Sequence, residues 1–214
     1  MNSIHLQQTL PAVFADRNQM DSQVWHQDLT LDKGVYYRIE AASGTGKSSL
    51  CSYIYGYRND YQGIICFDGV NIRNHTMADW VEIRRRHISM LFQELRLFSG
   101  LTASENVMVK NKLTGYKDKA AIKRWFEALS IADKWNVPVG KMSFGQQQRV
   151  AFIRALCQPF DFLFLDEPVS HLDEANGEIM AQILLEEVRK NGAGVVLTSI
   201  GRHLNMEYHK VLKL

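Results

Sequence analysis

The segment that most constrains the fold of this chain is a run of small residues, 41–46, followed at once by Lys47 and Ser48. A strand pattern at 35–39 precedes it, and a helical pattern extends from 47 to about 55. A strand, a small-residue loop, a lysine, a hydroxyl and a helix in this order form the phosphate-loop pattern. Backbone N–H groups of such a loop and the helix N-terminus bind phosphate. We therefore expect Lys47 to reach the β- and γ-phosphates of a nucleoside triphosphate and Ser48 to bind Mg²⁺.

The first position of this loop is Ala41 instead of the usual glycine. A left-handed backbone there would cost an alanine about 1–2 kcal/mol, but we expect Ala41 to be tolerated because the later residues face the phosphates. Two other interpretations are a turn that caps an ordinary helix and a dinucleotide-binding loop. The strand, Lys47 and Ser48 together disfavour the first, and Ser49 stands where the second needs its third glycine.

The apolar pattern predicts an α/β fold. Continuous apolar runs at 162–165 and 195–197 are typical of parallel strands buried on both faces, and 179–188 carries a helical stripe between them. Residues 94–142 are mainly helical in pattern. Further strands are predicted at 4–6, 64–67 and 87–92, and helices at 77–86, capped by Thr76, and at 118–129. Alternating strands and helices predict a parallel sheet with helices packed on it.

Composition restricts the class of protein. The chain has 214 residues, 46% hydrophobic and 22% charged, as expected for one globular domain. Its net charge of +2 does not indicate nucleic acid or an anionic membrane as the main partner. The run Arg84-Arg85-Arg86 is therefore interpreted as a solvated helix end. No apolar run approaches the ~18 residues of a membrane span, and the first 15 residues lack Lys and Arg, unlike a signal peptide.

The cysteines indicate the compartment. Cys51, Cys66 and Cys157 are odd in number and far apart, which predicts buried free thiols and no disulfide or zinc framework. We expect a soluble protein of a reducing, cytosolic compartment.

An acidic pair, Asp166-Glu167, ends the apolar run at 162–165. Open α/β sheets bind ligands at the carboxyl ends of their strands, and adjacent strand residues point to opposite faces. We expect Asp166 to hold Mg²⁺, through water, and Glu167 to polarise an attacking water. The alternative, a solvated strand end, is disfavoured by the phosphate loop upstream.

Three further motifs follow the phosphate loop along the chain. Phe92-Gln93 follows a predicted strand, Met142-Ser143-Phe144-Gly145-Gln146 precedes Gln147-Gln148-Arg149-Val150-Ala151, and Ser170-His171-Leu172-Asp173 follows the acidic pair and Pro168. The whole combination resembles the ATP-binding subunits of ABC transporters, of the short type that serves lipoprotein-release and cell-division complexes. The three segments are similar, in order, to the family's Q-loop, its signature Leu-Ser-Gly-Gly-Gln and its D-loop.

The resemblance implies a fold and an assembly. Residues 1–214 would form one ATP-binding domain with a P-loop NTPase core: a parallel sheet, a small antiparallel β part and an inserted helical subdomain at roughly 94–142. Two subunits, identical or paired with a related ATPase subunit, would close head to tail around ATP and Mg²⁺. Ser143 and Gly145 of one subunit would then contact the γ-phosphate held by Lys47 of the other.

The resemblance also assigns roles to single residues. Glu167, Gln93 and Ser199 would be catalytic, and Gln93 would sense the γ-phosphate and Mg²⁺. The residues expected to bind the nucleotide are Phe14, stacked on adenine, and Ala41, Ala42, Ser43, Gly44, Thr45, Gly46, Lys47, Ser48, Ser49, Ser143, Gly145 and Gln146. The residues expected to bind Mg²⁺ are Ser48, Gln93 and Asp166.

Two positions depart from the family's pattern. Phe144 replaces the first glycine of the signature, so its ring must point away from the nucleotide. Ser199 follows Thr198 where the family usually has a histidine that holds the attacking water. Loss of such a positioning group commonly costs about 10²–10⁴ in rate. His203 lies four residues on, and we interpret it as a surface histidine.

The implied partner is a membrane permease. Leu95, Leu97, Phe98 and Leu101 are expected to form an exposed apolar groove for one of its cytoplasmic helices, with subdomain core as the alternative. The chain would then lie peripherally on the inner face of the cell membrane.

Two functions remain open. In the first, the chain is an Mg²⁺-dependent ATPase that powers the permease, which Glu167 favours. In the second, it is an ATP-switched regulatory or tethering subunit with little hydrolysis, which Ser199 favours. A chromosome or DNA-repair ATPase is disfavoured because no long heptad segment separates Lys47 from Ser143. A small-molecule kinase would not account for the signature.

Overall fold

The computed structural model describes residues 1–16, 21–170 and 172–214. In these ranges the strands are β1 Ser3–Pro11, β2 Asp28–Asp32, β3 Tyr36–Glu40, β4 Tyr61–Phe67, β5 Val70–Asn71, β6 Ile88–Leu91, β7 Phe162–Asp166, β8 Gly194–Ser199 and β9 Lys210–Lys213. The α-helices are α1 Lys47–Ile54, α2 Met77–Glu82, α3 Ala103–Asn111, α4 Lys119–Ala128, α5 Phe144–Ala155 and α6 Glu174–Asn191.

The strands form two sheets. One has the order β6-β7-β8-β3-β9, and all its neighbours are parallel. The other has the order β2-β1-β4-β5, and its neighbours are antiparallel. An α/β fold with a parallel sheet and a smaller antiparallel part is therefore confirmed.

The apolar run of β7 is buried on both faces. Leu163 and Leu165 belong to a core shared with the helical region and α6, whereas Phe162 and Phe164 belong to a core shared with α1 and the antiparallel sheet. Successive strand residues point to opposite faces, so this one strand contributes to both cores.

The region 94–142 contains α3, α4 and two short 3₁₀ turns, Ala132–Lys134 and Val139–Lys141. Both helices begin at a side-chain cap. Thr102 forms a capping box with Glu105 at the start of α3, and the Asp118 carboxylate accepts from the backbone N–H of Ala121 at the start of α4. The helical pattern at 94–142 is thus present, and the signature helix α5 begins directly after it.

Two local predictions need correction, and three strands were not predicted. The helix predicted at 77–86 ends at Glu82 and continues as a π-helical turn, Ile83–His87. Arg84 is not a solvated helix end, because its Nε and Nη2 donate to the carbonyls of Tyr55 at 3.1 Å and Gly56 at 3.0 Å. The sequence pattern did not predict strands β2, β5 and β9.

The four apolar residues predicted to form a groove do not all face outward. Leu95 is only 3% exposed and belongs to the core, and Leu97 packs against that core. Phe98 is 56% exposed. Of this set, Phe98 is therefore the side chain most available to a partner.

Two features concern membrane and thiol chemistry. Within the described residues, no helix has both the length and the apolar character that crossing a membrane requires. Cys51, Cys66 and Cys157 are buried free thiols, as predicted. Burial raises the pKa of the Cys51 thiol well above its usual value.

Candidate active site

The phosphate loop lies between β3 and α1, as its sequence predicts. Gly44 and Gly46 have φ angles of 78° and 100°, and Gly46 is the N-cap of α1. These are conformations that only glycine adopts readily. Ala41 is not among the residues with positive φ, so its Cβ costs no backbone strain. The alanine at the first position is therefore compatible with the loop.

Two aromatic rings pack beneath the loop. A Cβ placed on Gly46 would lie 3.1 Å from Phe14 Cε2 and 3.2 Å from Trp25 Cζ2. The indole N–H of Trp25 donates to the Thr45 carbonyl at 3.0 Å. Phe14 is only 6% exposed, whereas its neighbour Val13 is 69% exposed. The Phe14 ring thus packs against the loop and exposes little surface, and Val13 beside it is far more exposed. Phe14 also lines the cleft, so its stacking on adenine stays a prediction.

Lys47 is buried with its ammonium in the cleft. Its Nζ donates to the Ala42 carbonyl at 3.1 Å and lies 3.6 Å from Glu167 Oε1. The carbonyl and the carboxylate thus hold the ammonium from two sides. The structure therefore holds Lys47 at the loop, beside the predicted base.

The three predicted Mg²⁺ ligands converge. The Ser48 hydroxyl donates to Asp166 Oδ2 at 3.0 Å and to Gln93 Oε1 at 3.3 Å. Thr198 Oγ1 donates to Asp166 Oδ1 at 2.5 Å and so orients that carboxylate. Oxygen donors of this kind suit Mg²⁺, which completes its shell with water and phosphate oxygens. In the described ranges no group of three or more His, Cys, Asp and Glu side chains is arranged to hold a metal by itself.

Glu167 has a strained backbone. Its φ is 51°, a conformation that costs a non-glycine residue about 1–3 kcal/mol. The Glu167 N–H donates to the Thr198 carbonyl at 3.1 Å, and the Gln148 side-chain amide donates to the Glu167 carbonyl at 3.3 Å. These two bonds fix the backbone, so the carboxylate is held on the side of the cleft that carries Lys47.

Ser199 ends β8 beside the loop. It is 1% exposed, its hydroxyl has no hydrogen-bond partner in the described structure, and its carbonyl accepts from the Ala41 N–H at 3.3 Å. His203 is exposed and pairs with the Arg38 guanidinium at 2.5 Å, so it does not replace the missing histidine. The interpretation of His203 as a surface residue is confirmed.

The cleft has a volume of about 410 Å³. Of the predicted site residues, it is lined by Phe14, Ser43, Gly44, Gly46, Lys47, Ser48, Ser49, Gln93 and Glu167, and Val13 and Ile200 complete its wall. Sequence reasoning missed Val13, Trp25, Gln148 and Thr198. Two of them had a signal: Thr198 is the polar residue next to Ser199 at the end of a buried strand, and Gln148 belongs to the segment that follows the signature.

The signature segment lies outside this cleft. Ser143 caps α5 through a capping box with Gln146: its hydroxyl accepts from the Gln146 N–H at 3.3 Å and its own N–H donates to Gln146 Oε1 at 3.0 Å. The Phe144 ring is 43% exposed. Ser143, Gly145 and Gln146 are thus brought together on one helix N-terminus and not with Lys47 of the same chain.

The predicted D-loop precedes α6. Asp173 caps α6 by accepting from the Asn176 N–H at 2.8 Å, and this bond and the one from the Asn176 side chain lower the pKa of Asp173. His171 of the same motif lies outside the described residues.

Comparison with known proteins identifies the family. The ABC transporter family matches residues 25–170. The chain is 28% identical over 189 residues to the macrolide export ATP-binding/permease protein MacB of Aggregatibacter actinomycetemcomitans, covering 87% of this chain and 29% of that protein. An uncharacterized ABC transporter ATP-binding protein of Mycobacterium tuberculosis is 34% identical over 182 residues, 84% of this chain and 55% of that protein. The chain thus spans less than a third of the first relative and little more than half of the second.

Solved structures agree with this assignment. The dimeric MJ0796, a bacterial ABC transporter cassette, superposes with a TM-score of 0.75 at 27% identity, covering 92% of this chain and 87% of that one. The same cassette in a post-hydrolysis dimer bound to ADP and Pi gives 0.73 at 26% identity, with the same coverage of 92% and 87%. The phosphate loop, the parallel sheet and the signature segment together define a class of nucleotide-binding α/β proteins. The chain belongs to the ABC transporter family and has the fold of its ATP-binding cassettes.

Proposed function

We propose that this chain binds ATP with Mg²⁺ and hydrolyses it as the ATPase subunit of a transporter, closing head to tail with a second subunit to power a membrane permease. The observation that carries the proposal is the convergence of Lys47, Ser48, Gln93 and Glu167 in one cleft, with Asp166 bonded to Ser48 behind its wall. Each has the chemistry its role needs: a cation for phosphate, oxygen donors for Mg²⁺ and a carboxylate base.

The absence of the α5 N-terminus from the cleft wall supports dimerisation. A helix N-terminus is an anion site, and the N-terminus of α5 with Ser143 and Gly145 does not line the cleft of its own chain. A second subunit in head-to-tail orientation would place that helix against the γ-phosphate. ATP would then join the two subunits, and hydrolysis would release them.

Hydrolysis would start from Glu167. Its carboxylate would accept a proton from the attacking water, while Lys47 and Mg²⁺ would neutralise the charge that develops on the transferred phosphoryl group. Ser199 has a buried hydroxyl without a partner at the family's histidine position. We assign to it the positioning of that water, with slower turnover than a histidine would give.

Docking of the permease would use the surface next to Gln93. A cleft of about 200 Å³ there is lined by Phe92, Arg96, Phe98 and Leu113, among others. A cytoplasmic helix of the permease would insert apolar side chains beside Phe98. The chain would thus be peripheral on the inner face of the membrane.

The test is phosphate release by purified protein with ATP and Mg²⁺. For Glu167→Gln we expect a rate at least about 10²-fold lower, because the amide keeps the shape but cannot take up the proton. Glu127→Gln, on the exposed side of α4, is the matched control and should keep the wild-type rate. Equal rates for Glu167→Gln and the wild type would refute the role of Glu167.

A second candidate function is an ATP-switched regulatory subunit with little hydrolysis. The buried, unpartnered hydroxyl of Ser199 favours it, because this short side chain carries no charge for the γ-phosphate. Undetectable phosphate release by the wild type, together with intact ATP binding, would select this function over the first.

A further inference from the structure

The turn that follows Gln93 has a strained backbone. Leu95 and Arg96 have φ angles of 58° and 47°, and among the described residues they are the only two neighbouring non-glycine residues with positive φ. This conformation is costly for any side chain but glycine, and it persists only where surrounding contacts hold it. Such strain clusters at functional sites, and here it begins two residues after the predicted Mg²⁺ ligand Gln93.

One side chain of the signature helix binds both strained residues. Arg154, in the last turn of α5, donates from Nη1 to the Arg96 carbonyl at 2.7 Å and from Nη2 to the Leu95 carbonyl at 2.5 Å. Hydrogen bonds from a charged donor are stronger than those between neutral groups, and a planar guanidinium fixes two acceptors at once. In the described part of the chain, all side-chain hydrogen bonds of Arg154 go to this turn. The guanidinium therefore holds the two strained carbonyls against α5.

Short-range contacts close this turn around Gln93. The Leu95 N–H donates to the Phe92 carbonyl at 2.9 Å, and the Arg96 Cζ lies 4.2 Å from the centre of the Phe92 ring. Residues 92–96 thus form a compact unit, and a shift of its carbonyls away from α5 would also shift Gln93. Gln93 Oε1 accepts from the Ser48 hydroxyl at 3.3 Å, a distance near the upper limit of a hydrogen bond. A small displacement of the turn would therefore take Gln93 out of reach of Ser48.

Helix α5 extends from this turn to the signature segment. It has 12 residues, Phe144–Ala155, and is therefore about 18 Å long. Ser143 caps its N-terminus, and Arg154 lies in its last turn. Under the proposed function, Ser143 faces the nucleotide of the second subunit, and Gln93 faces the Mg²⁺ of its own chain. The hydrogen bonds of Arg154 therefore connect these two parts of the molecule.

We propose that Arg154 is a positioning residue. By binding the carbonyls of Leu95 and Arg96, it holds Gln93 at the Mg²⁺ site and ties that site to the helix that carries Ser143. Arg154 does not line the nucleotide cleft, so its effect on Mg²⁺ passes through the turn. The inference rests on the Mg²⁺ role proposed for Gln93 and assigns to that role a residue that contacts neither the metal nor the nucleotide.

The test is the affinity for ADP, measured by calorimetry once with Mg²⁺ and once with EDTA. We expect Arg154→Gln to bind ADP about tenfold more weakly than the wild type in Mg²⁺, because groups that orient a metal ligand affect metal affinity to this extent. In EDTA its affinity should equal that of the wild type. Arg154→Lys keeps the charge but lacks the fork that binds two carbonyls, and should show a smaller loss. Arg124→Gln, which removes an exposed arginine of α4, is the control and should match the wild type.

A double variant separates positioning from a general structural role. In Gln93→Ala the side chain that Arg154 positions is gone, so adding Arg154→Gln should not weaken ADP binding in Mg²⁺ any further. A residue that only stabilised the fold would weaken binding in EDTA as well, and equally with and without Gln93. Unchanged affinity of both Arg154 variants in Mg²⁺, or equal losses with and without Gln93→Ala, would overturn the proposal. These affinities need no hydrolysis, so they test Arg154 separately from the ATPase activity proposed above.

Discussion

At the scale of single residues, two positions of the cleft combine positive φ with a specific neighbour. Gly46 has a φ of 100° and faces Phe14 and Trp25, and Glu167 has a φ of 51° and faces Lys47 at 3.6 Å. At position 46, glycine adopts the positive φ without strain. At Glu167 the strain is tolerated because Thr198 and Gln148 bind its backbone. Backbone conformation therefore positions both the loop and the proposed base, Glu167.

Gly46→Ala should destabilise the protein more than Gly44→Ala does. Both substitutions place a Cβ at positive φ, which costs about 1–2 kcal/mol, but only at Gly46 would the Cβ also come within 3.1 Å of the Phe14 ring, while Gly44 has nothing within 4 Å. We expect a lower unfolding temperature and weaker ADP binding for Gly46→Ala. Equal unfolding temperatures for the two variants would mean that Phe14 and Trp25 do not support the loop.

At the scale of elements, one carboxylate ties several strands together. Asp161, just before β7, accepts from the N-terminal ammonium at 2.7 Å and from His87 Nδ1 at 2.6 Å, and it also pairs with Lys33. Burial alone would raise the pKa of Asp161, but hydrogen bonds from Lys33, the N-terminus and His87 outweigh it and lower the pKa below its ordinary value of 3.8. The start of β1, the β2–β3 turn and the start of β6 thus meet at one group.

Asp161→Asn should lower the free energy of unfolding by about 1–3 kcal/mol at neutral pH. Because the pKa of Asp161 is lower in the folded state, its stabilisation is present above pH 4 and disappears as the pH falls through the folded-state value. The difference from the wild type in urea unfolding should therefore shrink below about pH 4.

Asp133→Asn is the control for this pH series. Asp133 pairs with Lys134 on the surface, with 68% of its side chain exposed, and such pairs contribute little. We expect its unfolding curve to match the wild type at neutral pH. A pH-independent loss of stability in Asp161→Asn would point to packing instead of charge.

At the scale of elements, local sequence patterns predict some features of the site, whereas contacts between distant segments determine others. The phosphate loop and the acidic pair were predictable because each is a local pattern at the end of a strand, and Gln93 was predicted from the resemblance of Phe92-Gln93 to the family's Q-loop. The support of the loop by Trp25, the Gln148 bond to the Glu167 backbone and the burial of Leu95 arise from contacts between distant segments. Phe14 shows the difference most directly, because its position in the chain suggested a base-stacking ring and its packing places it beneath Gly46.

At the scale of the whole molecule, the proposed head-to-tail dimer makes the nucleotide cleft one half of a complete site. Lys47, Ser48, Asp166 and Glu167 come together in one chain, while the capped N-terminus at Ser143 belongs to a different part of the surface. An arrangement in which each subunit supplies one half makes association depend on the third phosphate of ATP. The central claim is therefore that the phosphate loop of one subunit and the α5 N-terminus of the other together bind one ATP.

The most direct measurement is light scattering of Glu167→Gln saturated with ATP and Mg²⁺, compared with the same variant saturated with ADP. Because the amide blocks proton uptake but leaves the cleft intact, the ATP complex should have the mass of a dimer and the ADP complex that of a monomer. Ser143→Arg, which places a long side chain at the N-terminus of α5, should keep the ATP complex monomeric. A Glu167→Gln protein that stays monomeric while fully occupied by ATP would contradict the account.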